Sequence, residues 1–187
     1  TMEASLLQKA APTMPVTRLN HAVLFVRELP RSLAFYRDVL GFEVLMEAPN
    51  AAFLRAPGST NDHDLGLFAI GPDAAPSEAG RSRVGLYHLA WEVDTLAELA
   101  HFATVLKDHK ALVGASDHGT TKALYAHDPD GLAFEMSRLV PANHVADAKL
   151  PDSTATQPPD PPREIARYGG ASRGVGRVAR RASRCAD

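Results

Sequence analysis

The apolar residues of this chain form short runs of strand length, and the same succession of runs occurs twice. Residues 19–26 read Leu-Asn-His-Ala-Val-Leu-Phe-Val, and residues 86–93 read Leu-Tyr-His-Leu-Ala-Trp-Glu-Val. Both follow the pattern Leu-x-His-x-x-x-x-Val, and the two histidines, His21 and His88, stand 67 residues apart. Self-similarity at a fixed spacing indicates that one structural unit is present in two copies.

The first unit begins with an almost wholly apolar run over residues 18–27, which we predict to be a strand buried on both faces. A helix follows, with Pro30 in its first turn and Gly41 as the left-handed residue that ends it. Three short strands are then predicted, over residues 42–46, 52–55 and 64–70.

A linker rich in proline and polar residues, 71–83, separates the units, and the second unit then repeats the order of the first. The run over 84–93 predicts its first strand. A helix is expected to begin near Thr95, because the spacing from Thr95 to Glu98 is that of a capping box.

The second unit ends in a strong hairpin signal. Residues 128–131 read Asp-Pro-Asp-Gly, in which the proline presets the bend and the glycine accepts a positive φ. Strands are predicted before this turn and after it, over residues 111–115, 122–126 and 132–138.

The order strand, helix and three strands in each unit predicts an α+β fold made of two tandem βαβββ modules. The modules are expected at about 17–71 and 84–140, and together they form one domain over 17–140. Residues 1–16 are interpreted as a leader. Residues 141–187 are interpreted as a Pro/Arg-rich disordered tail, because 151–162 contain five prolines and little that follows can be buried.

Charge divides at the same boundary. Residues 1–140 carry 12 basic and 17 acidic side chains, a net charge of −5, whereas residues 141–187 carry 8 and 5, a net charge of +3. We interpret the basic tail as a solvated appendage and expect no nucleic-acid partner.

Cys185 is the only cysteine, which excludes an intramolecular disulfide and a cysteine-based zinc site. No apolar run approaches the ~20 residues needed to cross a bilayer, and residues 1–15 lack the apolar core of a signal peptide. A cytoplasmic protein without a membrane partner is expected.

The repeated histidines are the first candidate site residues. A lone histidine in a strand is most often a hydrogen-bonded core residue, whereas His21 and His88 at matched positions favour shared metal ligation. Glu135 lies in an apolar strand, where a carboxylate is costly unless it is ligated or paired, and an ion-paired or edge-strand glutamate is the alternative. The repeat offset places Phe68 at the position that matches Glu135, so we expect three protein ligands. Two histidines and one carboxylate leave three adjacent positions of a metal open, as in non-haem Fe(II) oxygenases.

This ligand pattern, with the turn at 128–131, resembles the vicinal oxygen chelate superfamily over roughly residues 17–140. That superfamily contains glyoxalase I, fosfomycin-resistance and bleomycin-binding proteins, and extradiol ring-cleaving dioxygenases. The resemblance implies paired βαβββ modules whose sheets curl into an open barrel around a metal. It also implies that His21, His88 and Glu135 hold that metal.

Three further residues resemble those of the extradiol catechol dioxygenases. His63 resembles the acid/base histidine of that group, His118 the histidine that hydrogen-bonds the bound catecholate, and Tyr125 its active-site tyrosine. The resemblance therefore implies an Fe(II)-dependent enzyme that opens the ring of a small aromatic diol with O₂, with Mn(II) or Zn(II) compatible with the same ligands. A homo-oligomer is also expected.

The chain departs from that pattern at two places. The loop between His63 and His88 is long and rich in proline, which is expected to reshape the pocket. The segment from His118 to Tyr125 is short, and His127 has no counterpart in the family, so whether His118 or His127 contacts the substrate stays open.

Two other functions remain open at this point. One is another metalloenzyme of the superfamily, either a glyoxalase-like isomerase or a thiol transferase that modifies an antibiotic. The other is a metal-free protein that binds a small apolar ligand between the modules. The first unit has no carboxylate to match Glu135, which argues against glyoxalase I but does not exclude the other enzymes of the superfamily.

Overall fold

The computed structural model describes residues 16–80, 82–118 and 121–139, and these contain two successive βαβββ modules. The leader before residue 16 and the tail after residue 139 lie outside the described residues. Module 1 comprises β1 (Ala22–Val26), α1 (Leu29–Ala34), a π-helical segment (Phe35–Val39), β2 (Glu43–Ala48), β3 (Ala51–Arg55) and β4 (Leu65–Ala69). Module 2 comprises β5 (Leu89–Glu92), α2 (Leu96–Asp108), β6 (Leu112–Asp117), β7 (Thr121–His127) and β8 (Ala133–Leu139).

Each module contributes one four-stranded sheet, and the two sheets have the same topology. Their strand orders are β1-β4-β3-β2 and β5-β8-β7-β6. In each sheet the first and last strands of the module are parallel neighbours, and the other pairs are antiparallel. The predicted α+β class and the duplicated βαβββ order are confirmed.

The helix boundaries follow the sequence signals. The Thr95 side chain accepts from the Glu98 backbone N–H while the Glu98 carboxylate accepts from the Thr95 N–H, so the predicted capping box is formed. Gly41, at φ +77°, follows the first helix as expected. The structure corrects the prediction of one regular helix, because the chain from Phe35 onward is π-helical. None of the helices in the described residues is long and apolar enough to span a membrane.

The two modules share one hydrophobic core. The π-helical segment of module 1 contacts the sheet of module 2 at Phe35, whose ring lies edge to face with that of Phe134 at a centroid distance of 6.0 Å. Phe42, just after that helix, contacts Trp91 of β5 in the same way at 5.0 Å. The two sheets are separate in the described residues, so contacts between side chains, not pairing between strands, hold the modules together.

The first strand of each module is shorter than predicted. β1 is not buried on both faces, because Val23 is 49% exposed and Phe25 69% exposed while Leu24 and Val26 lie in the core. The helices cover only one face of the sheet, so alternate residues remain open on the other. The run over 84–93 forms a strand only at Leu89–Glu92, where its pairing with β8 begins at Leu89 and Phe134.

The hairpin turn at 128–131 joins the modules through Asp130. Its carboxylate accepts from the Arg27 backbone N–H at 3.0 Å, from the Arg27 guanidinium at 2.9 Å and from the Ser32 hydroxyl at 3.2 Å. Arg27 also donates to the carbonyl of Ala74 in the linker, at 2.7 Å. One turn residue of module 2 thus fixes both the end of β1 and the start of the first helix.

Asp128 of the same turn forms a second contact between the modules. Its Oδ2 accepts from the buried Tyr36 hydroxyl at 3.2 Å, and its Oδ1 accepts from the Asp130 and Leu132 N–H groups. Burial raises the pKa of Tyr36 well above its ordinary value, and the charge of Asp128 raises it further. Burial likewise raises the pKa of Asp128, against the lowering effect of its hydrogen-bond donors.

We predict that Asp130→Ala lowers the free energy of unfolding by about 2–4 kcal/mol. The substitution leaves the part-buried Arg27 guanidinium, the Arg27 N–H and the Ser32 hydroxyl without their acceptor. Urea denaturation measures the change. The matched control is Glu43→Ala, which removes the exposed ion pair with Arg55 and should cost at most about 1 kcal/mol. An equal loss of unfolding free energy in the two variants would contradict the importance of the Asp130 contact between the modules.

We predict that Tyr36→Phe changes the alkaline limb of the stability curve. A pKa that is raised in the folded state contributes stability that is present below about pH 10 and lost as the pH rises through the folded-state value. The variant should be less stable by about 1 kcal/mol near neutral pH, where the hydrogen bond to Asp128 is missing. The difference from the parent protein should then shrink by about pH 11, and a constant difference in urea melts would contradict the assignment.

Candidate functional site

His88 and Glu135 are brought together by the parallel pairing of β5 with β8. Ala90 pairs with Glu135, and His88 directly precedes β5, so both side chains lie on the sheet face that the helices do not cover. His88 Nε2 lies 3.2 Å from Glu135 Oε2, and the two side chains are 26% and 13% exposed. An imidazole and a carboxylate thus meet near the surface of module 2.

Tyr125 and His118 lie beside this pair. Tyr125 is directly opposite Glu135 in the β7–β8 register, and its ring centroid is 6.1 Å from that of His88. The Tyr125 hydroxyl is 3.0 Å from His118 Nε2. Partial burial raises the pKa of Tyr125, and the negative charge of Glu135 adds to this. Four predicted site residues therefore form one cluster in module 2.

His21 and His63 form a separate pair in module 1. Their ring centroids are 4.3 Å apart, and His63 also meets the edge of Phe53 at 5.1 Å. His21 Nδ1 lies 2.7 Å from Asn20 Oδ1, and the residue is exposed. The predicted acid/base histidine therefore contacts a predicted metal ligand.

Gly66 occupies in β4 the place that Glu135 occupies in β8, which corrects the match to Phe68 expected from the repeat offset. Gly66 pairs with Val23 of β1 as Glu135 pairs with Ala90 of β5, and it pairs with Phe53 of β3 as Glu135 pairs with Tyr125 of β7. The register shift between β2 and β3 falls at Phe53 as the shift between β6 and β7 falls at Tyr125, which supports the same match. The module 1 position thus carries no side chain where module 2 holds an acid, and the expectation that the first unit supplies no carboxylate stands.

The structure does not bring His21 to His88 and Glu135. Within the described ranges, no group of three or more His, Cys, Asp or Glu side chains is close enough to hold a metal ion. His21 does line a cavity of about 200 Å³ whose other wall is Leu89, Ala90 and Trp91, the strand that follows His88. The two histidine-bearing strands therefore face one small cavity although their imidazoles do not converge.

The donor types at this place suit a divalent transition metal, because imidazole nitrogen and carboxylate oxygen bind Fe(II), Mn(II) and Zn(II). Of the three predicted ligands, the structure puts His88 and Glu135 in mutual contact. His88 Nδ1 is buried without a hydrogen-bond partner among the described residues, whereas metal-bound histidines usually donate from that second nitrogen. The residues fit a metal in kind, and two of them fit it in position.

Asn61 is a supporting residue that the sequence interpretation missed. Its amide nitrogen donates to the Asn20 carbonyl at 2.6 Å and to the Asp64 carboxylate at 2.7 Å, so it ties the segment before β1 to the start of β4. It lies in a polar loop whose composition carries no signal of this bond. The only available hint was its proximity to His63 in the sequence.

The chain matches, over residues 18–136, the family described as the Glyoxalase/Bleomycin resistance protein/Dioxygenase superfamily. The chain belongs to this superfamily. The predicted resemblance is thereby confirmed, and the matched region runs from the residues before β1 of this superfamily member into β8, its last strand.

Similar curated proteins are dioxygenases. The chain is 38% identical over 120 residues to the catechol-2,3-dioxygenase of Bacillus subtilis. This match covers 64% of this chain and 41% of that protein. It is 36% identical over 125 residues to biphenyl-2,3-diol 1,2-dioxygenase 3 of Rhodococcus globerulus, covering 66% and 64%. It is 27% identical to a manganese-dependent 2,3-dihydroxybiphenyl 1,2-dioxygenase of Geobacillus genomosp. 3, covering 66% and 37%. The matched region is thus less than two thirds of each relative.

Solved structures support the fold. A glyoxalase/dioxygenase from Nostoc punctiforme has a TM-score of 0.55 at 24% identity and covers 66% of this chain and 91% of that one. A glyoxylase/bleomycin resistance protein/dioxygenase domain from Frankia sp. EAN1pec has a TM-score of 0.59 at 20% identity, covering 71% and 99%. At these identities the likeness concerns the arrangement of the modules.

Proposed function

We propose that the protein is an Fe(II)-dependent extradiol dioxygenase that opens the ring of a catechol-type diol with O₂. The observation that carries this proposal is the cluster in module 2, where the His88–Glu135 pair lies beside the Tyr125–His118 pair. Metal-ligand donors and phenol-type hydrogen-bonding groups on one sheet face suit a diol that must be both ligated and oriented. The names of the similar curated proteins support the same reaction.

The proposed metal ligands are His21, His88 and Glu135. Binding requires the His21 imidazole to turn from Asn20 toward the cavity that it shares with β5. Fe(II) is the proposed ion, and Mn(II) suits the same donors, in keeping with the manganese-dependent relative. Zn(II) also fits two histidines and a carboxylate.

When bound, such a metal would supply Lewis acidity that eases deprotonation of the diol, and open positions for the diol and O₂. The protein residues supply orientation and proton transfer. The Tyr125 hydroxyl, 3.0 Å from His118 Nε2, would hydrogen-bond a diol oxygen next to Glu135. His63, whose ring contacts that of His21, would hold or deliver a proton beside that proposed ligand.

A metal-free protein that binds a small apolar ligand is the second candidate. The observation in its favour is that His21 stands apart from His88 and Glu135 in the described residues. Metal titration separates the two candidates, because a binding protein of this kind needs no ion at these side chains.

We also propose that the protein forms a homo-oligomer. Val23 and Phe25 of β1 are exposed on an edge strand, and a second copy of the chain would cover them. Light scattering that finds only a monomer would contradict this.

We predict that Glu135→Ala weakens Mn(II) binding by about 100-fold or more, because the carboxylate is the one anionic ligand proposed. Anaerobic calorimetric titration measures the affinity. Glu92→Ala, an exposed glutamate at the end of β5, is the matched control and should bind the ion as the parent does. Full metal occupancy in Glu135→Ala would refute the ligand assignment.

We predict that the Fe(II)-loaded protein converts a catechol aerobically into a yellow ring-fission product, followed by absorbance. His63→Ala should keep the metal and slow turnover by on the order of 10²–10⁴-fold, as expected when a proton-transfer group is lost. His101→Ala, an exposed histidine of α2, is the control. Turnover unchanged in His63→Ala would remove His63 from the mechanism, and absence of any product in the parent would refute the proposed reaction.

A further inference from the structure

A groove of about 760 Å³ adjoins the module 2 cluster. One wall is the linker between the modules and the residues directly after it, including Ala75, Arg83 and Tyr87, and the other is the hairpin, including His127 and Ala133. The Tyr87 ring centroid is 4.7 Å from that of His88, so the groove begins beside the proposed metal ligand. The long linker, expected from the sequence to reshape the pocket, thus forms one of its walls.

His127 lines this groove and lies on the same face of β7 as Tyr125. The two residues alternate on β7 and therefore share a sheet face, roughly 7 Å apart along the strand. The His127 backbone N–H is fixed by the Ala111 carbonyl at 3.0 Å, and in the described part of the chain its imidazole has no hydrogen bond. Ala133, its direct partner on β8, is small and leaves the space above the strand open.

The comparison between the modules indicates that a polar residue here is not needed for core packing. The register matches Phe53 with Tyr125, so the equivalent of His127 in module 1 is Arg55, which forms an exposed ion pair with Glu43. At position 127 the same backbone site carries an imidazole that is exposed and lines the groove. An exposed donor or acceptor at this place serves a ligand better than it serves the core.

The polar character of the groove indicates the class of ligand. Among the described residues its one carboxylate, Glu78, is already ion-paired with the Arg83 guanidinium at 2.5 Å. The remaining polar side chains there, His127, Ser77 and Tyr87, can each donate a hydrogen bond, and Arg83 keeps further N–H groups. A groove of donors fits a ligand that carries an acceptor, and a carboxylate is the strongest acceptor available to an aromatic ring substituent.

We infer that His127 is a specificity-determining residue whose imidazole donates a hydrogen bond to a carboxylate on the catechol ring, on the side remote from the diol. The inference rests on the proposed function, because the diol must lie at Glu135 and Tyr125 for the substituent to reach His127. The favoured substrates are then catechols with a carboxylate side chain opposite the two hydroxyl groups.

The test is anaerobic calorimetry of the Mn(II)-supplemented full chain with 3,4-dihydroxyphenylacetate and with 4-methylcatechol, a neutral analogue. The parent should bind the acid more tightly, and His127→Ala should weaken binding of the acid by about 10- to 100-fold while 4-methylcatechol changes by less than about 3-fold. His127→Gln, which keeps a donor, should recover part of the preference. His101→Ala is the control for loss of an exposed histidine.

Three results would overturn the inference. They are a parent with no preference for the acid, an equal loss of both ligands in His127→Ala, and a preference that vanishes in Arg83→Gln but not in His127→Ala. Because binding is measured without O₂, the outcome is separate from that of the proposed reaction. A parent that binds the acid through His127 but cleaves no catechol would refute the ring-opening function and leave the recognition site standing.

Discussion

The arrangement of this protein depends on two carboxylates in one turn. Asp128 and Asp130 lie between β7 and β8 of module 2, yet they accept hydrogen bonds from Tyr36, Arg27 and Ser32 of module 1. A buried carboxylate is stable only when its oxygens accept hydrogen bonds. The turn is therefore held in the one position where both carboxylates meet these donors. The strands on either side of that turn carry Tyr125, His127 and Glu135. The contact that joins the modules therefore also fixes the strands of the candidate site.

The two modules have the same fold but carry different side chains at matching positions. Both modules have the same strand order and the same register, but Phe53 and Gly66 stand in module 1 where Tyr125 and Glu135 stand in module 2. The Phe53 ring packs on Phe68 and His63, whereas Tyr125 and Glu135 lie beside His88. The same backbone arrangement thus presents an aromatic face in one module and a face with ionisable groups in the other, and the difference lies in the side chains.

Much of the candidate site was predictable because strand pairing is local. His88, Tyr125 and Glu135 lie on three strands of one module, and the alternation of side chains with a hairpin turn at a known place determines which of them share a face. The position of His21 was not predictable in the same way. Its distance from His88 depends on how two sheets pack through Phe35, Phe42 and Trp91, which are far apart in the sequence. The role of the linker as a groove wall likewise follows from that packing.

The sequence by itself determined the duplicated βαβββ order, the capping box at Thr95, the turn at 128–131 and the identity of the side chains available for chemistry. These features rest on short-range rules of periodicity, capping and turn geometry. Tertiary structure alone decided that the turn carboxylates bind module 1, that one face of β1 stays exposed, and that His127 faces a groove. Those outcomes depend on contacts between residues some 100 positions apart, as between Arg27 and Asp130, and no local pattern encodes such contacts.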